Sequence, residues 1–205
     1  MKYLILFVAL FSQSVLATSK IPDVLTFSIG SISANFTENP DELKATDGST
    51  GTTVTPFAGT VSAVPIMIGY EIFPNLKRSY FINGVGPLMA SNTGNYYSLI
   101  GGVNFYFSQI ASNAVVSDYN FEMKIIPKFR YYAGPAIGIG YLVYNTKSAT
   151  KNDIMFEIGG HGGVIYTINP KWGLRAQLGA SRGIGVLVTS TIIKILLGAT
   201  YNLGN

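Results

Sequence analysis

The apolar residues of this chain recur at every second position, which is the period of a half-buried strand and not of a helix. The pattern is longest at 124–144. There the odd positions hold Ile125, Pro127, Phe129, Tyr131, Ala133, Pro135, Ile137, Ile139, Tyr141 and Val143, while the even ones hold Lys124, Lys128, Arg130, Tyr132, Gly134, Ala136, Gly138 and Gly140. Side chains of a strand point alternately to opposite faces, so one face is greasy and the other charged or nearly bare. A helix could compete only at 184–203. That stretch is rich in Val, Ile and Thr and contains Gly185 and Gly198, a composition that favours strand.

Turn-forming clusters divide the chain into strands near 24–36, 59–72, 79–90, 95–107, 124–144, 154–168, 171–182 and 191–203. Eight is an even number, as single-chain bacterial barrels have. The connections alternate in length: 37–57 is long and polar, whereas 73–78 and Ile168-Asn169-Pro170-Lys171 are tight. The exception is 108–123, over-long on the side of the tight turns. The fold expected is all-β, a transmembrane antiparallel up-and-down barrel of eight strands.

Composition agrees with a wall that faces lipid. Charged residues are 12% of the chain, about half the usual share of a soluble domain. There are 23 glycines, 13 tyrosines, 12 phenylalanines and no cysteine; disulfides and thiolate metal sites are therefore excluded, and no cofactor is expected. The net charge of +4 is a small excess among few charges, unlike the clustered Lys and Arg of a nucleic-acid binder. Lys2, the apolar run 3–11 and the small-residue end Val15-Leu16-Ala17 read as a cleaved signal peptide over 1–17, with the barrel domain over 18–205.

The few charges within strands share the parity of the bare face. In a small barrel that face is the lumen, and a Lys or Arg turned to lipid would cost about 2–4 kcal/mol at the bilayer midplane. Glu71, Lys128, Arg130, Glu157, Arg175 and Lys194 are accordingly expected to form a lumenal ion-pair network. An eight-stranded barrel is just wide enough for side chains to fill, so the network would plug it; the alternative is a gate in a narrow pore. Aromatics are expected at both rims: Tyr70, Tyr80, Phe105, Phe107, Tyr166, Trp172 and Tyr201 at one, Tyr97, Tyr141 and Phe156 at the other. In the first strand the apolar parity switches from Leu25, Phe27 and Ile29 to Ile32, Ala34 and Phe36, as a bulge would cause. Pro65, Pro87, Pro127 and Pro135 fall inside strands, where a closed ladder has no edge for them.

Two stretches carry a family resemblance. Asn169-Pro170-Lys171-Trp172-Gly173-Leu174-Arg175-Ala176-Gln177-Leu178-Gly179 is similar to the turn and seventh strand of small Gram-negative outer-membrane barrels, the OmpA- and OmpX-like group. The end, Gly198-x-x-Tyr201-x-Leu203, resembles the C-terminal signal read by the outer-membrane assembly machinery; Gly198 and Tyr201 match it, and Leu203 stands where an aromatic is usual. The resemblance implies an outer-membrane location, with membrane lipids, lipopolysaccharide and the assembly machinery as partners. A surface ligand could meet loop 37–57. The function expected is an envelope-structural or surface-interaction role, with a narrow pore or hydrophobic-ligand conduit as the alternative.

Two motifs invite catalytic readings. Gly134 to Gly140 imitates a nucleotide-binding glycine loop, but a strand continues where that motif needs a helix. Glu157 and His161 could suggest a lipid A-modifying enzyme. In the deacylase kind a serine lies two positions after the histidine, and here that position is Gly163.

Overall fold

The computed structural model describes residues 21–39, 56–89, 91–107, 114–118, 121–146 and 149–203. Among them are eleven strands and no helix: β1 (Val24–Glu38), β2 (Ala58–Ala63), β3 (Pro65–Asn75), β4 (Arg78–Pro87), β5 (Gly94–Tyr106), β6 (Ala114–Asp118), β7 (Phe121–Ile125), β8 (Phe129–Asn145), β9 (Thr150–Thr167), β10 (Trp172–Gly185) and β11 (Val188–Asn202). Nine of them form one antiparallel sheet that closes where β11 meets β1. β2 and β3 are one stave, since both pair with β1 in a single register that lapses only at Val64 and Pro65. The barrel therefore has eight staves, and closure leaves its ladder without a lateral edge of the kind that invites aggregation.

The register sets the dimensions. The pairing runs from Val24 through Glu71, Phe81, Gly102, Ala136, Gly159, Ser181 and Ile192, and returns to β1 at Ala34, ten residues further along. For eight staves that stagger corresponds to a strand tilt of about 40° and a radius of about 8 Å, at a spacing of ~4.8 Å and a rise of ~3.3 Å per residue.

Both tight turns on the side of the termini use one device. Asn75 Oδ1 accepts from the backbone N–H of Lys77 and Arg78 at 3.0 and 3.1 Å. Asn169 Oδ1 accepts from those of Lys171 and Trp172, both at 2.9 Å. Such Asx turns explain why asparagine, not glycine alone, marks the turns in the sequence.

Alternation sorts polarity as expected. Ile68, Ile82, Leu99, Ile137, Ile158, Leu178 and Ile195 point outward and are exposed. At the end near the termini, Trp172 packs on Tyr201 at 4.8 Å between ring centroids and Phe129 on Tyr166 at 5.1 Å. Towards the other end Tyr97 faces Tyr141 at 6.1 Å.

The first strand corrects the sequence reading. β1 has no bulge and does not switch face; every even residue from Val24 to Glu38 points inward and pairing with β11 is unbroken. What changes is the surroundings. Phe27 and Ile29 lie outward in the apolar band, whereas higher up Ser31, Asn35 and Thr37 lie outward while Ile32, Ala34 and Phe36 fill an apolar interior. The strand climbs past the band, and the rule that apolar means outward reverses there.

The prolines also resolve. Pro65 opens β3 and pairs with Pro87, which closes β4, and Pro127 precedes β8. Only Pro135 lies mid-strand, and the β5–β8 ladder lapses between Gly102↔Ala136 and Phe105↔Ala133. The over-long connection after β5 contains the separate hairpin β6–β7. The segment 1–17 and most of loop 37–57 lie outside the described residues.

This sorting predicts opposite costs for one charge on one strand. Ile195→Arg is expected to destabilise the barrel by about 2–4 kcal/mol, and Thr191→Arg, higher up the strand on the same face, by less than about 1 kcal/mol. Denaturant unfolding in phospholipid vesicles measures both.

Candidate functional site

The lumen is filled in layers. Nearest the termini, Glu71 of β3 accepts hydrogen bonds from Asn104 Nδ2 and the Tyr106 hydroxyl, both at 2.6 Å, and from the Ser79 hydroxyl. Its other oxygen meets Arg175 Nη1 at 3.1 Å. Arg175 also donates from Nε to the Tyr132 hydroxyl at 2.6 Å and from Nη1 to Thr26 Oγ1 at 3.2 Å. Its guanidinium lies 4.5 Å from the Tyr132 ring centroid. The Tyr132 hydroxyl in turn donates to Gln177 Oε1 at 3.0 Å. Arg130 is fully buried, within electrostatic reach of Glu71, Tyr106 and Arg175.

Six staves thus converge on one ion pair. Gly163 makes room for it, because a Cβ there would stand 2.5 Å from the Tyr132 hydroxyl.

A second layer lies higher. Glu157 accepts from Lys194 Nζ and Ser181 Oγ, each at 2.5 Å, and from the Tyr96 hydroxyl. Lys194 Nζ sits 5.2 Å from the Tyr96 ring centroid. Between the layers lies a cavity of about 40 Å³, lined among others by His161, Gln177, Glu157 and Lys194. It has room for only about two or three waters.

Above the second layer the interior turns apolar, packed with Ile32, Ala34, Phe36, Val61, Leu142, Met155, Val188 and Ile192. The mouth carries a third pair, Lys151 Nζ to Glu38 Oε1 at 2.8 Å, which the Tyr144 hydroxyl joins at 3.1 Å. Beside it, Asp153 Oδ2 accepts from the N–H groups of Leu187 and Val188 at 2.9 Å, tying down the β10–β11 turn.

Of the six residues expected to form one network, the fold brings Glu71, Arg130 and Arg175 to the lower layer and Glu157 and Lys194 to the upper. Lys128 joins neither: it precedes β8, is exposed, and its Nζ lies 5.1 Å from the Tyr166 ring centroid at the rim. Its even number misled because the residue lies below the ladder that gives parity a meaning. Sequence reasoning passed over Tyr132, Asn104, Tyr106 and Tyr96, although lumen-face parity was available to find them. The pair Glu38–Lys151 joins residues 113 apart in sequence, both in segments read as loop.

His161 points inward, with Nε2 2.6 Å from Asn104 Oδ1 and its ring edge-on to Phe81 at 4.8 Å. It thus extends the chain of polar contacts from Glu71 towards the cavity. The residues expected to form an assembly signal lie at the end of the last stave and just past it: Gly198 pairs with Ser28 and Arg175, Tyr201 with Leu25 and Trp172, and the N–H of Leu203 donates to Asp23 O at 2.8 Å.

Breaking a buried pair strands a charge, which costs about 3–5 kcal/mol. Arg175→Met is expected to destabilise by that amount and Glu71→Gln/Arg175→Met by clearly less, whereas Lys128→Gln stays within about 0.5 kcal/mol. Urea unfolding in vesicles provides the comparison.

No family model and no curated protein sequence matches the chain. Solved structures do. The outer membrane protein OprG from Pseudomonas aeruginosa aligns over 91% of this chain and 98% of its own at a TM-score of 0.51 and 12% identity. Neisserial surface protein A aligns over 86% and 97% at 0.48 and 11%, and Ail of Yersinia pestis over 88% and 99% at 0.42 and 12%. At such identity the likeness to OprG is one of fold: this chain has the architecture of the small eight-stranded outer-membrane β-barrels.

Proposed function

We propose that this chain is an integral outer-membrane protein of the Gram-negative envelope, a closed barrel that serves envelope structure or surface interaction and does not conduct. The filled lumen carries this reading. The carboxylate of each polar layer is paired with a cation, the space between the layers is about 40 Å³, and the apolar packing above would exclude water as hydrophobic constrictions do.

The exposed apolar band, bounded by aromatic residues towards both ends, supports a bilayer as the surrounding solvent. In this reading 1–17 is removed on export, the termini and tight turns face the periplasm, and loop 37–57 faces outward as the surface for a ligand. The assembly machinery would read the last stave through Gly198, Tyr201 and Leu203.

A barrel of this kind is expected to run faster on gels unheated than boiled, and to give no steady openings in planar bilayers. Steady conductance that changes with Arg130→Gln or Glu157→Gln would overturn the closed-lumen reading. A detergent-free soluble monomer would overturn the membrane reading.

A further inference from the structure

The outer wall is not alike all round. By the register and an axial rise of about 2.5 Å per residue, Ser33, Ser62, Arg182 and Thr191 lie roughly 20–25 Å above Val24. Tyr97, Tyr141 and Phe156 occupy that level on the opposite wall. Where one side carries its upper aromatic belt, the sector made by β10, β11, β1 and β2 is polar apart from the exposed Ile184 and Val64.

The same sector holds a cleft of about 520 Å³, lined chiefly by Asn35, Thr37, Thr60, Arg182, Thr189 and Thr191. Its volume falls within the ~300–1,000 Å³ usual for ligand sites. Arg182 is exposed and has no ion-pair or hydrogen-bond partner among the described residues. Thr60 Oγ1 donates to Asn35 Oδ1 at 2.7 Å, which leaves the Asn35 amide hydrogens for another acceptor. Directly below, Ile29, Ile66, Ile193 and Ile195 continue the apolar band.

A polar cleft with one unneutralised guanidinium, stacked on an apolar ridge, matches a ligand with a phosphorylated sugar head and acyl tails. We propose that this cleft binds the headgroup of the outer-leaflet saccharolipid, lipopolysaccharide. Arg182 takes a phosphate, the threonine hydroxyls and Asn35 take sugar hydroxyls, and the acyl chains lie along Ile66, Ile193 and Ile195. This rests on the outer-membrane reading, which puts the upper rim of the barrel among those headgroups. Guanidinium suits phosphate because its planar fork pairs with two oxygens at once.

Native mass spectrometry of the refolded barrel in detergent, with purified lipids added, tests the assignment. The barrel is expected to retain one bisphosphorylated lipopolysaccharide at least tenfold better than its dephosphorylated form or phosphatidylglycerol. Arg182→Gln should lower that retention about tenfold, the loss of one charge-assisted contact, and Thr60→Val/Thr191→Val should lower it too. Arg78→Gln, at the opposite end, should leave it unchanged. Equal retention of phosphatidylglycerol would mean attraction of any anion and would overturn the proposal, as would an unaltered Arg182→Gln variant. So would a wild-type dimer that Arg182→Gln abolishes without lipid, since the cleft would then belong to a second copy. Gel migration before and after heating shows each variant folded. A folded, heat-modifiable barrel without saccharolipid preference defeats this assignment and leaves the outer-membrane reading standing.

Discussion

Closure of eight staves with a ten-residue stagger is the constraint on which the rest depends. It satisfies the backbone polar groups that an open sheet would leave at its edges, and only such closed sheets or helices can lie in hydrocarbon. It also sets a radius at which inward side chains meet across the axis. Any residue of lumen parity is therefore part of a core, whatever its chemistry. Glu71, Arg130 and Arg175 are as much core residues here as Ile32 and Leu142.

Core charges impose a demand of their own. A buried carboxylate without partners costs several kcal/mol, and Glu71 and Glu157 each have a cation and at least one hydroxyl donor. Around Glu71 the partners come from distant staves, Thr26 from β1 and Arg175 from β10 among them. The polar layers thus tie opposite walls together in a way that apolar packing alone does not direct. Glycines such as Gly163 belong to the same arrangement, since they clear the space into which Tyr132 leans.

Much of this was legible in period-two alternation. The eight expected segments coincide with the staves to within a few residues, except that the fifth, β8, begins at Phe129 and not near residue 124. Alternation speaks of faces, however, and not of what each face meets. In the upper half of β1 the outside is polar and the inside apolar, so a constant geometry looked like a bulge. Lys128 was misjudged because it lies beyond the ladder, and the Glu38–Lys151 pair was missed because segment ends read as loop. The register was illegible as well: nothing in the alternation of one strand says which residue of the next lies beside it. The cleft at Arg182 and the separation of the charges into two layers therefore became visible only in three dimensions.

The sharpest test uses the absence of cysteine from the chain, which makes any introduced one unique. Spin labels placed singly from 24 to 38 along β1, in vesicles, report collision with oxygen in lipid and with a nickel chelate in water. Labels at 25, 27 and 29 are expected to meet oxygen, those at 31, 33, 35 and 37 the chelate, and the even positions from 24 to 36 neither. Chelate access at those even positions would mean a water-filled lumen, and the closed barrel described here would be wrong.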